Sequence, residues 1–196
     1  MARLTLIRRK FAMAGGSVLL ILALAACGNG DQAAAPVTPQ GPPRVIATVE
    51  QPTITIALRR LAEFTKLRRA MTITGVGQRL SAREPLTLLA PRDNAFQQLD
   101  PTAQAALFET ANGAALRLQL RNLIIPRTLR AEEIRTLIDE GGGTAQVVTL
   151  GGASISFTRE GEQLVATWPN GGRATMGTQE ASAGNGVFYV IDHWPG

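Results

Sequence analysis

One stretch limits what this chain can fold into more than any other: Leu86-Thr-Leu-Leu-Ala-Pro-Arg-Asp-Asn-Ala-Phe-Gln-Gln-Leu99. It is a short apolar run, a proline, an Asp-Asn pair and then apolar residues at helical spacing. The run from Leu86 to Ala90 predicts a buried strand. Pro91 ends it, because proline has no amide to give to a sheet ladder. Asp93 and Asn94 suit a helix start, where a side-chain oxygen accepts from an amide that has no partner within the helix. Phe96 and Leu99 then face the same core.

Near the end of the chain stands Asn185-Gly-Val-Phe-Tyr-Val-Ile-Asp192, which reads as a turn and a closing strand. In these two segments, about ninety residues apart, the chain resembles the fasciclin (FAS1) domain family. The first family motif, of the type T-V-F-A-P-T-D-x-A-F, is matched at Thr87, Ala90, Pro91, Asp93, Ala95 and Phe96. The second, of the type N-G-V-I-H-V-I-D, is matched at Asn185, Gly186, Val190, Ile191 and Asp192. The resemblance covers roughly Ile54 to Trp194. It implies a wedge of two sheets with helices packed along one side, and gives these residues a structural part. Two departures stand out. The Tyr-His pair that many such domains carry, linked to integrin adhesion, is replaced by Arg121 and Asn122. Arg92 stands where the family often has threonine.

The first 26 residues have the layout of a secretory signal: a basic start, then the apolar run Val18 to Leu24. That run is too short for a comfortable membrane span. Leu24-Ala-Ala-Cys27 resembles the lipobox of bacterial lipoproteins. The resemblance implies a diacylglycerol thioether at Cys27, which becomes the new N-terminus. Gly28 is not the aspartate that often retains lipoproteins in the inner membrane, so outer-membrane sorting stays open. Residues 27–52, rich in Ala and Pro, read as a disordered tether, and 53–196 as the domain.

The chain's net charge of +5 comes mostly from the leader, whose four basic residues precede Cys27. The rest is nearly balanced, which removes the main argument for a nucleic-acid partner. Cys27 is the only cysteine, so no internal disulfide forms. A domain of this size buries roughly two-thirds of its unfolded surface, enough for a core without staples.

In order along the domain, Ile54 to Met71 predicts one amphipathic helix, whose basic residues read as a solvated face in preference to one lying on an anionic membrane or meeting an acidic partner. Gly75-Val-Gly77 reads as a turn. Asp100-Pro101 starts a helix that runs to about Thr110. Further helices follow around Leu116 to Leu123 and Ile134 to Ile138. After Gly141-Gly-Gly143 the period changes to that of strands: Ala145 to Leu150, Ala153 to Thr158, Leu164 to Trp168, Arg173 to Met176 and Gly186 to Asp192. The order predicts an α+β domain built on an antiparallel β-sandwich.

Catalytic chemistry finds little support. His193 is the only histidine, and Asp192, adjacent on a strand, is expected on the opposite face. Glu132-Glu133 and Asp139-Glu140 read as a solvated helix face, and Trp168 and Trp194 as packing residues. No cofactor and no metal are expected. The expectation is a non-catalytic adhesion or interaction module on a lipid anchor, exported to the periplasm or cell surface, meeting an envelope protein or polysaccharide. The alternative is a small-ligand carrier or accessory subunit of an envelope complex.

Overall fold

Residues 51–196 are described by the computed structural model, and they fall within one unit, Ala47–Gly196. Cys27, the leader and nearly all of the tether lie outside the described residues.

The helix expected over Ile54 to Met71 is broken. It divides into α1 (Ile54–Arg59), a 3-10 turn (Ala62–Phe64) and α2 (Thr65–Thr74). Leu61 is extended at the break, with φ −104° and ψ 120°. Two side chains hold the break open. The Arg68 guanidinium donates to the carbonyls of Leu58, Arg59 and Leu61 at 3.2, 3.3 and 2.9 Å, serving the orphan end of α1. The Asp93 carboxylate accepts from the amides of Thr65 and Lys66 at 3.1 and 2.7 Å, serving the new start of α2. Apolar spacing across 54–71 remains helical, and Ile54, Leu58, Phe64 and Leu67 are all fully buried.

Gly75, at φ 72°, ends α2, and α3 (Gly77–Ser81) follows at once. Next come β1 (Leu86–Pro91), α4 (Asp93–Gln97) and α5 (Pro101–Leu107). Asp100 caps α5 as expected, accepting from the amides of Thr102 and Ala103 at 2.8 and 3.3 Å. These bonds hold its carboxyl below the usual range. Then follow α6 (Gly113–Arg121), β2 (Ile124–Ile125), α7 (Ala131–Glu140), β3 (Thr144–Val148), β4 (Ser154–Glu160), β5 (Gln163–Thr167), β6 (Arg173–Ala183) and β7 (Gly186–Ile191).

The strands form a seven-stranded mixed sheet in the order β2-β1-β7-β6-β5-β4-β3. Every ladder is antiparallel except β1 with β7, which run parallel from Leu86↔Gly186 to Pro91↔Ile191. The two sequence motifs are therefore direct neighbours, paired residue for residue. The antiparallel expectation omitted this pair, because a parallel partner far along the chain leaves no local signal. β6 is also longer than expected. Its residues 173–176 pair with β5, while Met176 and 180–183 pair with β7, with a register irregularity between Met176 and Glu180. An irregularity of this kind bends a strand. The α+β architecture stands.

All of β1 is buried, whereas β3 alternates exposed and buried. A strand covered on both faces needs a nearly continuous apolar run, which Leu86 to Pro91 supplies apart from the hydrogen-bonded Thr87. Gly186 opens β7 at φ +140°, and a Cβ there would collide with the Leu86 carbonyl oxygen. Both the backbone and the space demand glycine. Gly186→Ala is expected to lower stability by about 3 kcal/mol or more, read as a drop in the urea midpoint.

Candidate binding groove

The polar motif residues bond to other parts of the chain; Thr87 and Asn185 are buried, while Asp93 and Asp192 stay partly exposed. Thr87, fully buried in β1, donates its hydroxyl to the Arg127 carbonyl at 2.9 Å and accepts from the Leu129 amide at 2.8 Å. In β7, the Tyr189 hydroxyl lies 2.9 Å from the Leu129 carbonyl and 3.0 Å from Glu180 Oε2. The same Glu180 carboxylate accepts from the Ala131 amide at 3.0 Å and pairs with Arg130 at 2.7 Å. Together Thr87, Tyr189 and Glu180 fix the loop that opens α7. Burial, and then the Glu180 charge, push the Tyr189 hydroxyl pKa well above its ordinary value.

Asn185 is 3 % exposed. Its Oδ1 accepts from the Ile54 amide at 2.9 Å, and its Nδ2 donates to the carbonyls of Leu80 and Ala82 at 2.8 and 2.7 Å. Ala90, Pro91, Ala95, Phe96 and Ile191 are buried, and Val190 packs against the core. Asp93 was expected to cap its own helix. It instead lies inside α4, whose N-cap is Arg92, and serves α2.

β7 ends at Ile191, so Asp192 and His193 are not held to opposite faces of a strand. His193 Nδ1 lies 3.0 Å from Asp192 Oδ1, correcting the sequence expectation. Asp192 Oδ1 also accepts from the Thr175 amide at 2.7 Å. Its partial burial raises the carboxyl pKa, but the bonds from His193 and Thr175 outweigh this and leave it below the usual range. Among the described residues no hydroxyl is hydrogen-bonded to His193. Trp168 donates to the Asn122 carbonyl at 3.0 Å, and Trp194 lies 4.8 Å from Phe96. At the departures from the family pattern, Arg121 donates to the Leu150 carbonyl and Asn122 Oδ1 accepts from Thr149, both at 3.0 Å. Of the acidic pairs on α7, Glu133 accepts from the Arg130 amide, and Glu132 and Asp139 pair with Arg135 and Arg159. Among the described residues no cluster of three or more acid, His or Cys side chains is placed to hold a metal, and no helix is long and apolar enough to cross a membrane.

An opening lies elsewhere, between α1, α2 and α3. It is a groove of about 560 Å³, in the size range of small-molecule sites. Leu58 and Met71 form its apolar floor, and Thr55, Arg59 and Ser81 contribute polar groups along it. The groove exists because the chain breaks after Arg59 and turns at Gly75. A continuous helix reading conceals it. The sequence signal that could have found it is the lone acid Glu63 among the bases of 59–69, which marks a new helix start.

Asp93→Ala is expected to cost about 1 kcal/mol, as loss of a helix cap does, without changing the fold. Tyr189 has a raised folded pKa, so the stability its neutral form confers is full below pH 10 and is lost as pH rises above it. Tyr189→Phe is therefore expected to flatten the alkaline arm of stability against pH, measured by urea midpoints from pH 8 upward.

Comparison with known proteins agrees with this geometry. The fasciclin domain model matches residues 62–194. Protein sll1483 of Synechocystis sp. is 26% identical over 130 residues, covering 66% of this chain and 64% of that protein. The chain thus spans just under two thirds of that relative. Among solved structures, the FAS1 domain pair of the insect cell adhesion molecule Fasciclin I matches with a TM-score of 0.64 and 18% identity. That match covers 72% of this chain and 50% of the domain pair, and the likeness is one of fold. From the family model, the two paired motifs and the shared fold, the chain belongs to the fasciclin domain family, a family of adhesion-type modules.

Proposed function

We propose that this chain is a non-catalytic interaction module of the bacterial cell envelope, displayed on a lipid attached at Cys27. The observation that carries the reading is membership of the fasciclin family over residues 62–194, behind a lipobox-like leader and an Ala/Pro-rich tether. Engagement of the motif polar groups by other segments of the domain supports a binding surface away from the motifs. The partner is an envelope protein or polysaccharide. The tether supplies reach, and the lipid keeps the domain at the membrane.

A second reading, a small-ligand carrier, is favoured by the groove between α1 and α3. In-cell crosslinking and recovery of the intact lipoprotein separates the two, with Cys27→Ala as control. The proposal expects one envelope protein or polysaccharide, lost when the domain is deleted and kept when the tether is shortened. Recovery of no macromolecule, together with a stoichiometric small molecule in native mass spectrometry, replaces it with the carrier.

A further inference from the structure

The break in the first helical segment leaves an exposed corner that the interior of the domain does not use. On α1, Ile54 and Leu58 are fully buried, while Ile56, Arg59 and Arg60 lie three and four residues apart on the opposite face. Ile56 is 44% exposed and Leu61, at the corner itself, 37%. The Arg59 and Arg60 side chains have no hydrogen-bond or ion-pair partner among the described residues. Glu63, the one acid in the segment 59–69, pairs with Arg92 at 3.2 Å. The corner is therefore two large apolar side chains flanked by two unneutralised guanidinium groups.

The surroundings have the same sign. Residues 51–121 carry ten Lys or Arg and five Asp or Glu, whereas 122–196 carry five and eight. The first, mostly helical stretch is thus net positive and the second, strand-rich stretch net negative. Chain entry is at the positive stretch. Pro52 is tied to the domain by the Gly184 amide at 3.0 Å, and α1 begins two residues later. The tether that leads back to Cys27 therefore joins the domain beside the basic corner, while Val148, 60% exposed, sits on edge strand β3 in the acidic stretch.

We propose that Ile56, Arg59, Arg60 and Leu61 form a docking surface for the anionic membrane that holds the lipid anchor, so that the domain lies on the bilayer with its acidic stretch outward. Exposed apolar side chains beside basic ones are what an interfacial contact needs: hydrocarbon enters the headgroup boundary while the cations meet lipid phosphate. No single contact is strong. The anchor turns docking into an intramolecular event at high effective concentration, so a weak surface suffices. The inference rests on the lipid-anchor reading of Cys27, and its test separates the two.

Because Cys27 is the only cysteine and is acylated in the proposed lipoprotein, Ile56→Cys and Val148→Cys each introduce a single labelling site. The purified full-length lipoprotein, fluorophore-labelled at one site, is placed on vesicles of phosphatidylglycerol or of phosphatidylcholine containing nitroxide lipid. Docking predicts strong quenching of the label at position 56 on phosphatidylglycerol, little at position 148, and a fall at position 56 to the level of 148 in Arg59→Glu/Arg60→Glu. Neutral vesicles or high salt should act likewise, since roughly fivefold in surface affinity is lost per basic residue removed. A label at Leu61→Cys repeats the measurement if position 56 does not tolerate one. Equal quenching at the two ends, or none at either, on protein that floats with the vesicles overturns docking and leaves the anchor standing. Protein of unlipidated mass that fails to float sinks the anchor reading instead. Docking then survives only if that protein, at high concentration, still shows position 56 selectively quenched on phosphatidylglycerol.

Discussion

The Asn185 side chain joins three segments that no other group connects in the same way. Its carbonyl takes the Ile54 amide at the start of α1, and its amide nitrogen holds the Leu80 and Ala82 carbonyls at the end of α3. Its own backbone carbonyl accepts from Leu86 at 3.1 Å, where β1 begins. Buried groups of this kind gain little over water while paired, but each costs about 1–3 kcal/mol when left unpaired. A side chain that satisfies three of them at once sets where the helical layer meets the sheet. Gly186, next in sequence, lets β7 pass close enough to the Leu86 carbonyl for the parallel pair to form.

From that joint the remaining polar groups fall into place as a series of ties between sequence-distant segments. Asp93 ties β1's exit to α2, Thr87 and Tyr189 tie the central strands to the loop before α7, and Asp192 ties the end of β7 to Thr175 in β6. With the motif polar groups bonded within the domain, the remaining charged residues lie mostly on its outer surface. Residues 51–121 are net basic and 122–196 net acidic, and the groove and the α1 corner are both built from the basic stretch.

Much of the fold was legible because its strongest signals are local. The run Leu86 to Ala90, the Asp100-Pro101 cap and the glycines after α7 each report on their own few residues, and each element appears near its expected place, although β1 runs through Pro91 rather than stopping before it. What was hidden depends on distant partners. The break after Arg59 leaves the 3.6-residue apolar spacing intact, so periodicity reads one helix. Only Arg68 and Asp93 reveal two, and Asp93 acts from 27 residues away. The parallel β1–β7 pair and the second half of β6 were missed for the same reason. The groove was missed with the break, since it exists only where α1 and α2 part. Asp192 and His193 were misplaced because the closing strand was read as ending one residue too late.

The most direct test of the joint at Asn185 is native-state hydrogen exchange of the Ile54 amide in the full chain. As the first residue of α1, Ile54 has no acceptor within its own helix, so its protection reports on Asn185 alone. The account predicts protection comparable to that of Leu88 in the centre of β1, with exchange through opening of the whole domain. Rapid exchange at Ile54, like that of a frayed terminus, while Leu88 stays protected would mean that the helical layer is not joined to the sheet there, and would contradict it.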